Sequence, residues 1–169
     1  NEAAYDTYSE FNAPDFPFPG VRWDWGYAGG NPVERADRYV LSVKRSLVGE
    51  YFVIFDDIQK DATAHRYDWL LHTREDNCFD LQPGQATILR GNLDCTSICL
   101  VCGQLNVTFV HPDPGARSLS SARFDVTGDN NDGDTRRLAA TTTTESPNYF
   151  VVLHPQGNGE SAPLVTRPT

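Results

Sequence analysis

The sequence has no methionine, no apolar run approaching the roughly 18 residues a membrane-spanning helix needs, and no amphipathic stretch of about twelve residues with helical spacing. The first absence, in a chain that begins at Asn1, predicts either a mature form after signal-peptide removal or a piece of a longer polypeptide. The second excludes a helical membrane span, and the third predicts very low helix content. Basic clusters are also scarce. The longest is Arg136-Arg137, and 14 basic residues stand against 23 acidic ones, for a net charge of -9. Such a chain repels phosphate backbones and anionic lipid surfaces, so nucleic acid is excluded as a partner.

Aromatic residues are plentiful: nine Phe, seven Tyr and three Trp within a hydrophobic fraction of 39%. That composition is too apolar for a disordered chain, and 169 residues suffice for one domain with a real core. Four cysteines, Cys78, Cys95, Cys99 and Cys102, are even in number. A structural zinc site usually presents two close pairs, whereas here one distant Cys precedes C-x3-C-x2-C. The spacing therefore predicts two disulfides, with all three pairings open, and an oxidising, secreted or cell-surface setting.

Residues 1–32 are expected to form an extended arm. Pro14, Pro17 and Pro19 withhold backbone donors and favour a polyproline-like path. Its aromatics, including Tyr5, Tyr8, Phe11, Phe16, Phe18, Trp23 and Trp25, need cover. The arm either packs on its own domain or adds a strand to a neighbouring subunit, which would be self-association.

Residues 33–155 read as strands. In YVLSVKR, the apolar Tyr39, Leu41 and Val43 alternate with Val40, Ser42 and Lys44, which places the apolar face inward. YFVIFDDI, residues 51–58, is apolar on both faces and predicts a central strand covered on both sides. HRYDWLLHT puts His65, Tyr67, Trp69 and Leu71 on one face and His72 on the other, making three consecutive antiparallel candidates. After the Gln82-Pro83-Gly84 turn follow ATILRG, CTSICLVCGQLNVTFVHP, SARFDVTG and NYFVVLHP. Short strands between turn residues predict an all-β, antiparallel, jelly-roll-like β-sandwich. Residues 156–169 predict an extended polar tail.

Several segments suggest chemistry. The loop GDNNDGD, residues 128–134, gathers hard oxygen donors for calcium but lacks the EF-hand spacing, so an ordinary solvated turn is expected. Asn106-Val107-Thr108 is a glycosylation sequon whose alternation turns Asn106 outward, and Thr141, Thr142, Thr143 and Thr144 read as an exposed loop open to O-glycans. The histidines at 65, 72, 111 and 154 adjoin no nucleophile motif.

The run RADRYVLSVKRSLVGEYFVIFDDIQKDATAHRYDWLLHT, residues 35–73, resembles the β-sandwich of heparinase II/III-type and related alginate lyases. Those domains carry an Arg-His strand, a hydrophobic strand ending in Asp, and a His-x-Tyr-x-Trp-type strand ending in His. LNVTFVHPDPG and NYFVVLHPQG extend the likeness to about residue 155. The resemblance implies a lyase scaffold without the helical toroid that supplies the catalytic Tyr or His. It also implies metal ligands at the residue after Arg38, at Asp56 and at His72. The first position holds Tyr39, a poor zinc ligand, so no bound cofactor is expected and Asp56 and His72 read as a hydrogen-bonded pair. The expected function is a non-catalytic extracellular structural or matrix component, assembling into a filament through its arm. The alternative is a carbohydrate-binding or accessory domain of a polysaccharide lyase, with glycans as partners.

Overall fold

The computed structural model describes residues 6–8, 12–13, 16–17, 20–22, 34–45, 49–91, 95–99, 102–124, 135–157, 160 and 165, with backbone alone for 6–22, 45, 49 and 124. These form β1 (Asp6–Tyr8), β2 (Asn12–Ala13), β3 (Phe16–Pro17), β4 (Gly20–Arg22), β5 (Arg35–Arg45), β6 (Gly49–Gln59), β7 (His65–Arg74), β8 (Asn77–Gln82), β9 (Gln85–Arg90), β10 (Gln104–His111), β11 (Arg117–Phe124), β12 (Thr135–Thr144) and β13 (Asn148–Gln156). One 3-10 turn, Pro114–Ala116, is the only helical element among the described residues.

Two sheets make the sandwich. The larger runs β1-β4-β5-β6-β13-β10-β9-β8 and the smaller β11-β12-β7, with every pairing antiparallel. The core lies between them, where Ile54, Val107, Phe109, Tyr149 and Val151 from the large sheet meet Trp69, Leu138 and Ala140 from the small one. Period-two alternation explains this, because each strand offers every second side chain to the partner sheet. Burying a Val, Leu or Phe side chain fully contributes about 1.5–3 kcal/mol. Trp69 and Phe109 meet edge to face with ring centroids 5.2 Å apart. The expected inward face of β7 is thus observed: Trp69 is buried, with Tyr67 and Leu71 packed beside it.

Three expectations need correction. The strands β5, β6 and β7 are not one meander, because β7 leaves for the small sheet and β13 takes the free edge of β6. The outer face of β6 is only partly covered, and Phe55 is 37% exposed. The threonine run is no loop: it completes β12, the central strand of the small sheet, where β-branched side chains fit the pleat.

At the turn between β8 and β9, Pro83 is followed by Gly84 at φ +86, a left-handed conformation that glycine adopts without steric cost. The Gly84 carbonyl accepts the Phe109 N–H at 2.9 Å, fastening the turn to β10. At the far end of the chain, β13 continues through Pro155, opposite Leu105. The pairing of β13 with β6 has already stopped at Leu153, so the missing proline N–H leaves no gap there.

Candidate functional site

Asp56 points into the sandwich and is 2% exposed. Its carboxylate accepts two bonds from Arg38, from Nε at 2.6 Å and from Nη2 at 2.7 Å. The register of the β5–β6 hairpin sets the two residues directly opposite each other. The guanidinium also stands 5.9 Å from the Trp69 ring centroid, and the bond to Asp56 raises its affinity for its proton despite burial. Nearby, the Tyr149 hydroxyl donates toward the carbonyls of Tyr67 at 3.1 Å and Ala140 at 3.2 Å, bolting the large sheet to the small one. Burial pushes that hydroxyl well above the ordinary tyrosine range.

The ligand set implied by the resemblance is not brought together. Tyr39 lies on the outer face of the large sheet, 41% exposed, and Asp56 points inward. His72 is exposed on the outer face of the small sheet, opposite Arg137. The expected Asp56–His72 pair is therefore wrong, since alternation sends the two side chains to different surfaces and Arg38 takes the carboxylate. The β5–β6 register pairs Arg45 with Gly49 and, seven residues out on each strand, Arg38 with Asp56; counting outward from a hairpin connection is a sequence signal that would have found the pair. Among the described residues no group of three or more His, Cys, Asp or Glu is placed to hold a metal. The acidic loop 128–134 lies outside the described residues, as do Tyr5, Phe11, Phe18, Trp23 and Trp25, while Tyr8 and Phe16 are described in backbone only.

The modification sites are corrected too. Asn106 is 4% exposed, with Nδ2 donating to Gln156 Oε1 at 2.7 Å and Oδ1 accepting from Thr87 and Gln104, both at 3.3 Å. A glycan there would break this amide network, so the sequon is not presented outward. Thr142 is buried and donates to the Ala116 carbonyl at 2.6 Å, and the Thr141 hydroxyl donates to Asp68 at 2.5 Å. Thr143 is exposed and Thr144 half-buried.

The histidines occupy separate places. His65 sits by Asp61 at 2.8 Å, His111 is exposed, and His154 is buried beside Asn106 in the register of β13 with β10. The disulfides are Cys78–Cys95 and Cys99–Cys102, resolving the open pairing.

One opening, absent from any sequence pattern, is a groove of about 480 Å³ at the end of the sandwich where β7, β8, β9, β10 and β13 come together. Thr73, Asn77, Arg90, Gln104 and Gln156 give it a mixed donor and acceptor lining, with Cys102 on its wall. Arg90 is 62% exposed and lies 4.0 Å from Asp76, a distance too long for a tight ion pair. A smaller pocket of about 200 Å³ beside Pro83, Gly84 and Arg117 is less open to a large ligand.

No family model matches the chain, and no curated protein does. Solved structures do. The crystal structure of heparan sulfate lyase HepC from Pedobacter heparinus matches with a TM-score of 0.54 at 14% identity, covering 97% of this chain and 22% of that chain. A mutant of the same lyase matches with a TM-score of 0.57 at the same identity and coverage. The resemblance read from residues 35–155 therefore holds at the level of architecture: the chain is an all-β sandwich with the fold of one part of a heparan sulfate lyase.

Proposed function

We propose that this chain is an accessory module of a polysaccharide lyase, contacting glycan while another part of the enzyme breaks the bond. The observation that carries the reading is the coverage: nearly the whole chain superposes on a unit that makes up 22% of a heparan sulfate lyase. The groove supports it with side chains suited to sugar hydroxyls, and Arg90 adds a local cation for a single acidic sugar, whereas the net charge of -9 opposes a long polyanionic chain and favours short oligosaccharides. Two disulfides suit a secreted module, because such bonds persist in oxidising compartments.

The filament reading gains less support. In this chain β4 pairs with β5, occupying the edge that an arm donated by a neighbour would need there.

The test is calorimetric titration of the chain with heparan sulfate oligosaccharides and with a neutral glucan. Acidic oligosaccharides should bind and Arg90→Ala should weaken them about tenfold, the loss of one charge-assisted hydrogen bond. Meanwhile, ultraviolet absorbance should reveal no unsaturated product. Absence of glycan binding would remove the accessory role, and turnover by this chain alone would remove the non-catalytic one.

A further inference from the structure

The two disulfides differ in what surrounds them. Cys78 lies in β8 with 3% exposure, and the chain at Gly91 presses against it so closely that a Cβ there would stand 2.6 Å from the Cys78 sulfur. On the other side Arg136 Nη1 lies 2.6 Å from the Cys95 sulfur. An incoming thiolate must approach along the sulfur–sulfur axis; Cys78 is buried and Cys95 half-buried, so neither sulfur of this bond is as open as that of Cys102.

Cys99–Cys102 is the opposite case. Cys102 is exposed, the bond closes a loop with a sequence separation of 3, and Cys102 lines the groove at the open end of the sandwich. The backbone here is held independently of the bond: the Cys99 N–H donates to the Arg90 carbonyl at 2.8 Å, and Ile98 bridges to Gly91. A short loop also means that little chain entropy is released on opening, so the fold does not depend on the link. Exposed C-x2-C disulfides of this kind are the exchange-prone class.

We propose that Cys99–Cys102 is a thiol–disulfide exchange site that reacts with dithiols while Cys78–Cys95 stays closed. A dithiol reductant supplies the thiolate, which attacks the exposed Cys102 sulfur. A mixed disulfide forms to Cys102 and Cys99 leaves as a thiolate. The second thiol of the reductant then closes on the first, releasing Cys102. Two electrons pass to the protein, the reductant becomes its cyclic disulfide, and both cysteines end as thiols after taking up protons. The groove wall at Cys102 and Gly103 is thereby untied from Cys99.

The experiment exposes the folded chain to graded dithiothreitol under argon, blocks free thiols with iodoacetamide and maps the labelled peptides by mass spectrometry. Circular dichroism is recorded at each step. Label should enter Cys99 and Cys102 at a reductant concentration about tenfold or more below that needed for Cys78 and Cys95, with the strand spectrum intact. A Cys99→Ser/Cys102→Ser double variant should fold and take up no label in that low range. Simultaneous opening of both bonds, or opening only once the strand spectrum is lost, would overturn the assignment. So would label at Cys78 or Cys95 in the double variant at low reductant.

Discussion

Arg38 and Asp56 show how one side chain decides whether a neighbour is tolerable. Asp56 is buried, and an isolated carboxylate there would lose its hydration without compensation. Two bonds from Arg38 supply that compensation, although the arginine side chain is itself 44% exposed. Arg38→Ala should therefore cost about 2–3 kcal/mol, below the roughly 3–5 kcal/mol of a wholly buried pair. Urea unfolding of Arg38→Ala, Asp56→Asn and the double variant measures this, and the double variant should recover part of the loss. A coupling near zero would show that the pair acts independently.

A second residue-level case is Asp61, whose carboxylate accepts from the Thr63 hydroxyl and N–H and sits against His65. These bonds, the Thr63 hydroxyl foremost, hold its pKa down to about 2. Because the folded value is depressed, the stabilisation is present above the unfolded value near 4 and disappears as pH falls through about 2. Carboxyl carbon shifts followed by NMR should place the midpoint there, and Thr63→Val should move it upward.

Strand by strand, much of the architecture is legible in the sequence, and the rest is hidden for definable physical reasons. Alternation identified β5 and β7 as strands and the inward set on β7, since a half-buried strand writes its faces into the sequence, but on β5 it pointed to the wrong face: Val40 packs on the core opposite Ile54 while Tyr39 is 41% exposed. Alternation carries no information about which strands become neighbours, so the departure of β7 and the insertion of β13 beside β6 were invisible. The threonine run misleads because its polarity is a loop signal while its β-branched shape favours a strand. Asn106 misled in a related way: alternation gave the correct face, but an outer face can still be buried when side chains such as Gln104 and Gln156 bond across it. The groove lies where the ends of five strands converge, and no local pattern encodes such convergence. Turn chemistry was dependable, as Gln82-Pro83-Gly84 shows. Gly84→Ala should lower stability by about 1–2 kcal/mol, because φ +86 strains any residue with a Cβ and that carbon would meet Arg117 Nη2 at 3.1 Å. Thermal unfolding would report the loss, whereas an unchanged midpoint would mean the turn relaxes freely.

Across the whole molecule, one connection dominates. The large sheet has β13 between β6 and β10, so strands far apart in the chain meet only through residues 148–156. Removing that segment should abolish cooperative unfolding, because it deletes the fully buried Tyr149 and Val151 and separates β5–β6 from β8–β10. A truncated chain that retains a sharp thermal transition would contradict this. The same placement sets a schedule for biosynthesis. A ribosome that has produced β5 through β12 has made two half-sheets, each ending in an edge that waits for the same missing strand. Until residues 148–156 emerge, those edges are open to strands of other nascent chains, and the polypeptide depends on rapid completion or on protection to avoid joining its neighbours instead of itself.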